Sequence, residues 1–583
     1  MKDDGYIALV GADAAADTLA ALRHASELQS LLLVEVPGNI AVLAGRRCAV
    51  LTLPNRAGII LGTLFDRSGR RLQEVAPHIA ESWIATSGES LLASHWGAYL
   101  AVLATATGPL IVRDPSGLFP CYRTRSRNAW LFASDTAWAG LPGGFKPEIC
   151  WAEIHAQLQY FSRRTARTAL EGVEELLPGT AFRLEQGAAS TLALWNPYRF
   201  AQDWDPAMRF EDATDKLGRA ATHAIGAWAR IYPRALVEMS GGLDSSIVAA
   251  SSAAQTRHLH AITFRGSAAD LDETRYAEAV ASHLDIPWHC APLSVDDVDL
   301  HASAAADLPS PTVRCFSQAP DKQSLAFGGS VGCDAFFIGT GGDNVLWYFN
   351  TAAPALDRLA LEGVGGFLAT VGDLARMCGV PWLTALRISL RKRMQRRPRP
   401  WPHSSALLSK AASAPATVPA HPWWPPPPGT LPGVRAYVRC LIQMYDHHDY
   451  HLRAAHAPVI APLVSQPIVE ACLGIPSWLS CTTGNNRAVA RAAFARQLPD
   501  TILGRRTKGG FDGFVQDLME HNRGVAREML LEGQLAREGW LDMDAIARCF
   551  ARPGQIPPDS ARRLLRLVAI EAWLDSARAR GFG

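Results

Sequence analysis

The stretch VEMSGGLDSSIVAAS, residues 237–251, carries a short apolar strand directly into Ser-Gly-Gly-Leu-Asp-Ser-Ser and then into a helix-like run. A strand, turn and helix in this order commit the surrounding chain to alternating β and α elements. Gly241 and Gly242 let the backbone turn tightly and approach a ligand without Cβ clashes, and Ser240, Ser245 and Ser246 add hydroxyl donors. The first N–H groups of the following helix point at the same spot, where the macrodipole favours negative charge by about 0.3–1 kcal/mol. Phosphate is the expected guest. Asp244 puts a carboxylate into that cradle and would repel phosphate unless a divalent cation stands between them. The residues therefore point to nucleotide phosphates with magnesium. No lysine stands where the GxxxxGK[ST] pattern needs one, so this is a phosphate loop of another kind. An ordinary glycine-containing βα turn is the plain alternative, and the full heptapeptide after an apolar strand weighs against it.

The rest of the chain is consistent with a large globular protein. Its 583 residues, 48% hydrophobic and 19% charged, suit two or more domains with sizeable cores. A formal charge of +2, close to neutral, gives no warrant for a general nucleic-acid or membrane-surface binder, so any basic site must be local. The 11 cysteines are scattered without a CxxC pair, and no secretory leader is seen, which predicts a cytoplasmic protein without a disulfide framework. WGAYLAVLATATGPLIV, residues 96–112, is broken by Gly108-Pro109 and reads as two buried strands and a turn rather than a membrane span.

Up to about Trp195 the sequence shows short β-rich runs separated by turn residues, among them NIAVLAG, CAVLTL, PLIVRDPSG, AWLFASD and GTAFRLEQG. From about Phe210, helical patterns such as DATDKLGRAATHAIGAWARI alternate with apolar strands such as HAITFRG and DAFFIGTGGD. The expected fold class is α/β: a packed-sheet domain over residues 1–200, then a parallel α/β domain over 201–583 with its ligand at the carboxyl ends of the strands. Residues 391–433 stand apart, with RKRMQRRPRPWPHSS followed by ATVPAHPWWPPPPGTLPG. They read either as a solvated linker or as a basic, aromatic flap that meets an acidic or peptide substrate.

SGGLDSS resembles the pyrophosphate loop of the ATP pyrophosphatase class, and its context is similar to the asparagine synthetase family. Three further stretches carry the resemblance in the family's order. FRGSAADLDETRYAEAVASHLDIPWH, residues 264–289, is similar to the second strand and helix. FFIGTGGDN, residues 336–344, resembles SGEGSDE and puts Asp343 on the metal-binding aspartate. LPDTILGRRTKGGFDG, residues 498–513, puts Lys508 on the catalytic lysine. WGAYLAVL, VRDPSGLFPCY, LFASD and GVEELLPG resemble the same family's Ntn-type glutaminase domain.

The departures matter as much. Family glutaminases use a cysteine directly after the initiator methionine as nucleophile, and Lys2 stands there; Cys48 lies far inside the domain. The expectation is a degenerate glutaminase-like domain that does not release ammonia from glutamine. Thr340 replaces the glutamate of SGEGSDE, and GVExRxPFLD survives only as HAPVIAPLVSQP, without its glutamate and arginine. A front domain without the nucleophilic cysteine and a rebuilt acceptor pocket resemble the β-lactam synthetase and lasso-peptide macrolactam synthetase branches. The basic, Pro/Trp-rich insert favours the peptide branch.

The resemblance implies ATP and Mg²⁺, with the nucleotide across residues 240–246, its adenine side near Thr263, Phe264 and Gly339, and magnesium on Asp244 and Asp343. Lys508 would meet charge on the reacting phosphorus and then on the oxyanion. The implied substrate is a linear lasso precursor or core peptide whose Asp or Glu side chain is adenylated and attacked by its own α-amine. A leader-binding protein and a leader peptidase are the implied partners, with no nucleic acid and no membrane. An ammonia-dependent amidotransferase, a β-lactam synthetase-like enzyme and a non-catalytic ATP-binding scaffold remain as alternatives. MYDHHDYHLRAAH offers Asp446, His447, His448, Asp449, His451 and His456 as a base, a polar helix face or a zinc pair.

Overall fold

A computed structural model describes the chain except residues 1, 12–15, 127–128, 142–144, 161–162, 202–203, 267–272, 313, 396–400, 418–419, 446–450, 508, 552–553 and 555. The β-rich front half forms two six-stranded antiparallel sheets. The first runs Val173–Glu175, Tyr122–Ser126, Ala129–Ala133, Tyr6–Val10, Ile40–Ala44, Leu32–Val36. The second runs Ala188–Ala193, Thr180–Glu185, Gly108–Arg113, His95–Thr105, Gly58–Asp66, Val50–Thr52. The uncharged run at 96–112 is thus a pair of adjacent strands, as its Gly-Pro break predicts.

Side-chain alternation explains how the layers stack. Tyr6, Ala8 and Val10 share one core with Ile59, Leu61, Leu100 and Val102, so the two sheets face each other as a sandwich. Ile7 and Leu9, on the opposite face of the same strand, pack in a core that includes Leu567 and Trp573 of the helix Pro558–Ala579. The outer face of the second sheet, with Ile60, Leu64 and Leu103, joins Trp228 of the helix Phe210–Ile231. Both outer faces of the sandwich are therefore covered by helices from the second half of the chain. Cys48 is buried at the inner core, and burial pushes its thiol up to about 12, far from a reactive thiolate.

The second half is built on a five-stranded parallel sheet in the order Trp288–Pro292, His258–Arg265, Arg234–Glu238, Ala335–Phe337, Val459–Ile460. Counted along the chain within this sheet, the order is 3-2-1-4-5. The direction of winding reverses on either side of Arg234–Glu238, and in open α/β sheets such a switch point opens a crevice at the carboxyl edge. The fold class therefore stands as expected, with paired antiparallel sheets followed by a parallel sheet with helices.

The insert is less solvated than its prolines suggest. Arg391 and Arg393 close the helix Trp382–Met394 and stay exposed, but Trp401 and Trp423 are buried, and Tyr198 Oη donates to Trp423 O at 3.0 Å. The tryptophans carry enough apolar area to pin the Pro-rich chain onto the core. Residues 396–400 of the basic run lie outside the described residues.

Asp357, on the helix Ala353–Cys378, is wholly buried and accepts bonds from Gly433 N and Ser477 Oγ, both at 2.7 Å. Burial pushes its carboxyl up to about 7. A folded-state value above the unfolded one means this contribution is fully present below about pH 4 and is lost as pH rises through 7. Asp357→Asn is therefore expected to raise the apparent melting temperature at pH 8 and change it little near pH 4.5. Differential scanning fluorimetry across that range checks this, and equal shifts at both pH values would contradict it.

Candidate active site

Three chain segments meet at the switch point. The first is the turn after Arg234–Glu238. Gly241 has φ +65°, and a Cβ there would stand 2.3 Å from Tyr276 Cβ and 2.7 Å from Ala277 N, so only glycine fits. The turn is laced internally: Ser240 N donates to Ser245 Oγ at 3.2 Å, and Ser246 Oγ donates to Gly242 O at 2.8 Å. Gly242 caps the helix Leu243–Ala253, which places Asp244 in the first turn. Ser240 is exposed at the mouth, whereas Ser246 is fully buried and braces the turn from within.

The second segment follows Ala335–Phe337. A Cβ on Gly339 would lie 2.8 Å from Ser245 N, and one on Gly342 would lie 2.5 Å from Asp244 Cβ. These two glycines allow the GTGGD loop to close on the SGGLDSS turn, which brings Asp343 beside Asp244. Thr263 and Phe264 lie at the carboxyl end of the neighbouring strand; Thr263 is buried and Phe264 partly buried.

The third segment was not legible as part of the site. Arg487 Nη1 donates to Asp244 Oδ1 at 2.6 Å and to Asp343 Oδ1 at 2.9 Å. The Arg487 backbone is left-handed, φ +56°, at the start of the helix Ala488–Ala493, and its side chain is only 8% exposed. One turn on, Arg491 donates to the carbonyls of Asn486, Ile502, Leu503 and Arg505, at 2.6–3.1 Å, and so fixes the late segment. Burial, followed by the neighbouring Arg487, lowers Arg491 to about 10, which still leaves it charged at neutral pH. Arg505 Nη1 then reaches Gly241 O at 3.1 Å and Nη2 reaches Glu273 Oε1 at 2.5 Å, with the guanidinium 4.1 Å from the Tyr276 ring centroid. Lys508 lies outside the described residues. Its neighbour Gly509 sits so close to Glu273 that a Cβ would meet Glu273 Cδ at 2.6 Å.

Asp244 and Asp343 fit a shared divalent ion on one concrete ground: their oxygens already converge on a single cationic atom, Arg487 Nη1. Two hard carboxylates at one point are suitable ligands for magnesium. The histidine-rich stretch divides differently. Residues 446–450, with Asp446, His447, His448 and Asp449, lie outside the described residues. His451 is buried, and burial followed by Arg314 and Arg453 drives its pKa well down, so it stays neutral. His456 is exposed. Among the described residues, no group of three or more His, Cys, Asp or Glu side chains could hold a metal, and no helix is long and apolar enough to cross a membrane.

The paired aspartates lie beside the SGGLDSS turn at the switch point of the parallel sheet. The asparagine synthase family model matches residues 233–575, more than half of the chain. The chain belongs to the asparagine synthase family. No curated protein matches the chain. Among solved structures, glutamine phosphoribosylpyrophosphate amidotransferase from B. subtilis, complexed with ADP and GMP, is 11% identical, with 49% of this chain covered and a TM-score of 0.22. This chain spans 65% of that structure's length. A structure described as the allosteric regulatory enzyme of purine biosynthesis is 10% identical over 57% of this chain and 89% of its own, with a TM-score of 0.23. Likenesses this low carry no argument.

Gly342→Ala tests whether the close approach of the two loops matters. Its Cβ would force Asp244 and Asp343 apart, and ATP–pyrophosphate exchange is expected to fall by about a hundredfold, the scale of a misplacement near 1 Å. Wild-type exchange in a variant with an unchanged circular dichroism spectrum would show that the contact is dispensable.

Proposed function

We propose that the chain closes a macrolactam on a linear peptide, activating an Asp or Glu side chain with ATP and joining it to the peptide's own α-amine. The observation that carries the ATP half is the convergence of Asp244 and Asp343 at the switch point, above a turn of the pyrophosphate-loop type. The peptide half is supported by the acceptor side. Thr340 stands where the family has a glutamate, and the stretch at 458–465 is core rather than a charged clamp, with Ala461, Leu463 and Val464 at most 1% exposed. A free amino acid would find no carboxylate or guanidinium there.

Residues 240–246 would cradle the phosphates, with Thr263, Phe264 and Gly339 toward the adenine. Asp244 and Asp343 would hold magnesium, which offsets phosphate charge when bound. The peptide carboxylate oxygen attacks the α-phosphorus and pyrophosphate leaves. The amine nitrogen then attacks the acyl carbon, AMP leaves and one proton is lost. An α-amine with a reference pKa near 7.7–8.0 is partly neutral at pH 7, so the ring can close without a strong base. Lys508 meets charge that develops at phosphorus and at the oxyanion. With magnesium on the two carboxylates, Arg487 would be released from them to meet phosphate charge. A leader-binding protein and a leader peptidase would supply the free amine.

Intact mass after incubation with ATP, magnesium and a linear peptide tests this. Loss of one water with release of AMP, and no response to free aspartate with ammonia, is the expected outcome; amidation of free aspartate would replace the reading with an amidotransferase. The residues should also fail differently. Asp244→Asn and Asp343→Asn should weaken magnesium-dependent ATP use, with partial rescue by excess magnesium. Lys508→Ala should bind ATP normally and lose about a hundredfold or more in single-turnover ring closure. A folded Lys508→Ala protein closing the ring at wild-type speed would remove the lysine from the mechanism.

A further inference from the structure

A cavity of about 770 Å³ opens between the helices Ala353–Cys378, Trp382–Met394 and Pro432–Met444. Its walls carry four cations, Lys392, Arg393, Arg435 and Arg439. Among the described residues, none of those that line it is an aspartate or glutamate. Asp357, which feels the charge of Arg435 and Lys392, is buried with its oxygens engaged by Gly433 and Ser477. The apolar part of the wall is aromatic, formed by Trp347, Tyr348, Phe349 and Trp424. Such a lining selects a ligand that is anionic and carries flat or apolar groups.

The cavity is coupled to the ATP site through one turn of chain. Tyr348 N donates to Asp343 O at 2.7 Å, and the Arg487 guanidinium lies 5.1 Å from the Tyr348 ring centroid. The tyrosine thus stands between the paired aspartates and the cavity. Its neighbour Trp347 is held at φ +55°, a conformation that costs a bulky residue on the order of 1–3 kcal/mol. Stacking on Tyr437, with centroids 5.3 Å apart, and on Phe349, at 4.6 Å, over-determines it. Asn344 Nδ2 donates to Cys440 O at 2.7 Å, which ties the helix bearing Arg435 and Arg439 to the turn bearing Asp343. The cations are therefore set at fixed positions relative to the reacting centre.

We infer that this cavity docks an acidic, aromatic-bearing segment of the linear peptide, with Arg435 and Arg439 on its carboxylates and its reactive end toward Asp343. The inference rests on the peptide-cyclising reading above. An open cleft of this volume matches sites that hold a drug-sized ligand or a few residues, and it cannot admit a nucleic-acid duplex.

Fluorescence anisotropy on the full-length enzyme without ATP tests the site apart from the chemistry. The probes are a fluorescein-labelled linear peptide rich in Glu, Asp and Trp, its Lys-for-Glu counterpart, and a single-stranded oligodeoxynucleotide. The acidic peptide should bind at least about tenfold tighter than either control, and added salt should weaken it. Arg435→Gln with Arg439→Gln should raise its Kd about tenfold or more at unchanged ATP affinity. Arg393→Glu, at an exposed position, gives a second variant should the first fail to fold. Wild-type peptide affinity in either folded variant, or tighter binding of the oligonucleotide, overturns the inference. Peptide binding that both variants weaken, without water loss from any peptide given ATP, keeps the cleft and refutes cyclisation. Ring closure with kinetics that ignore both variants does the reverse.

Discussion

Everything at the switch point depends on one guanidinium nitrogen shared by two carboxylates. Unit charges about 4 Å apart interact by about 4 kcal/mol at an effective dielectric near 20, so Asp244 and Asp343 repel each other unless a cation stands between them. Arg487 supplies it from a left-handed backbone position, and Gly339 and Gly342 remove the side chains that would keep the loops apart. Arg491 and Arg505 extend the same logic outward. One binds four carbonyls of the late segment, and the other fastens that segment to Gly241 and Glu273. The loop, the paired aspartates and the late segment as far as Arg505 are thereby held together.

The sheet sandwich in the front half contributes to this by bracing. Glu175 is buried between Arg113 and Arg164, each within 2.6 Å; burial would raise its carboxyl, and the two guanidiniums more than offset that and lower it. Arg164 also donates to Tyr445 O, and Tyr445 Oη donates to Pro115 O, at 2.6 and 2.8 Å. Tyr445 directly follows the helix that bears Arg435 and Arg439. A fully paired ionic triad holds the wall of the basic cavity against the sandwich, so the front domain acts as a buttress for the synthetase half.

Much of the fold was legible because its signals are local. The short apolar runs around Ile40–Ala44 and Gly108–Arg113, the helical pattern of Phe210–Ile231 and the SGGLDSS turn each announce themselves within about twenty residues. Asp244 and Asp343 were legible for the same reason, each lying in a glycine-rich loop after an apolar strand. Arg487 was not, because it reaches its partners across 243 and 144 residues of chain and an arginine at a helix start has no local signature. The i, i+4 pair of arginines in NNRAVARAAF was the available hint. Trp401 and Trp423 were misleading in the opposite sense: a Pro-rich context suggests solvation, but burial of two indole rings outweighs it.

If Asp244 and Asp343 form a single cation site, a divalent ion bound there displaces Arg487. Crystals of the full-length enzyme grown with Mn²⁺ and α,β-methylene-ATP test it most directly, because manganese is located by its anomalous scattering. An anomalous peak between the two carboxylates is expected, with the Arg487 guanidinium displaced from both and turned to the phosphates. A bound nucleotide whose manganese lies elsewhere, with Arg487 still bridging Asp244 and Asp343, would contradict it.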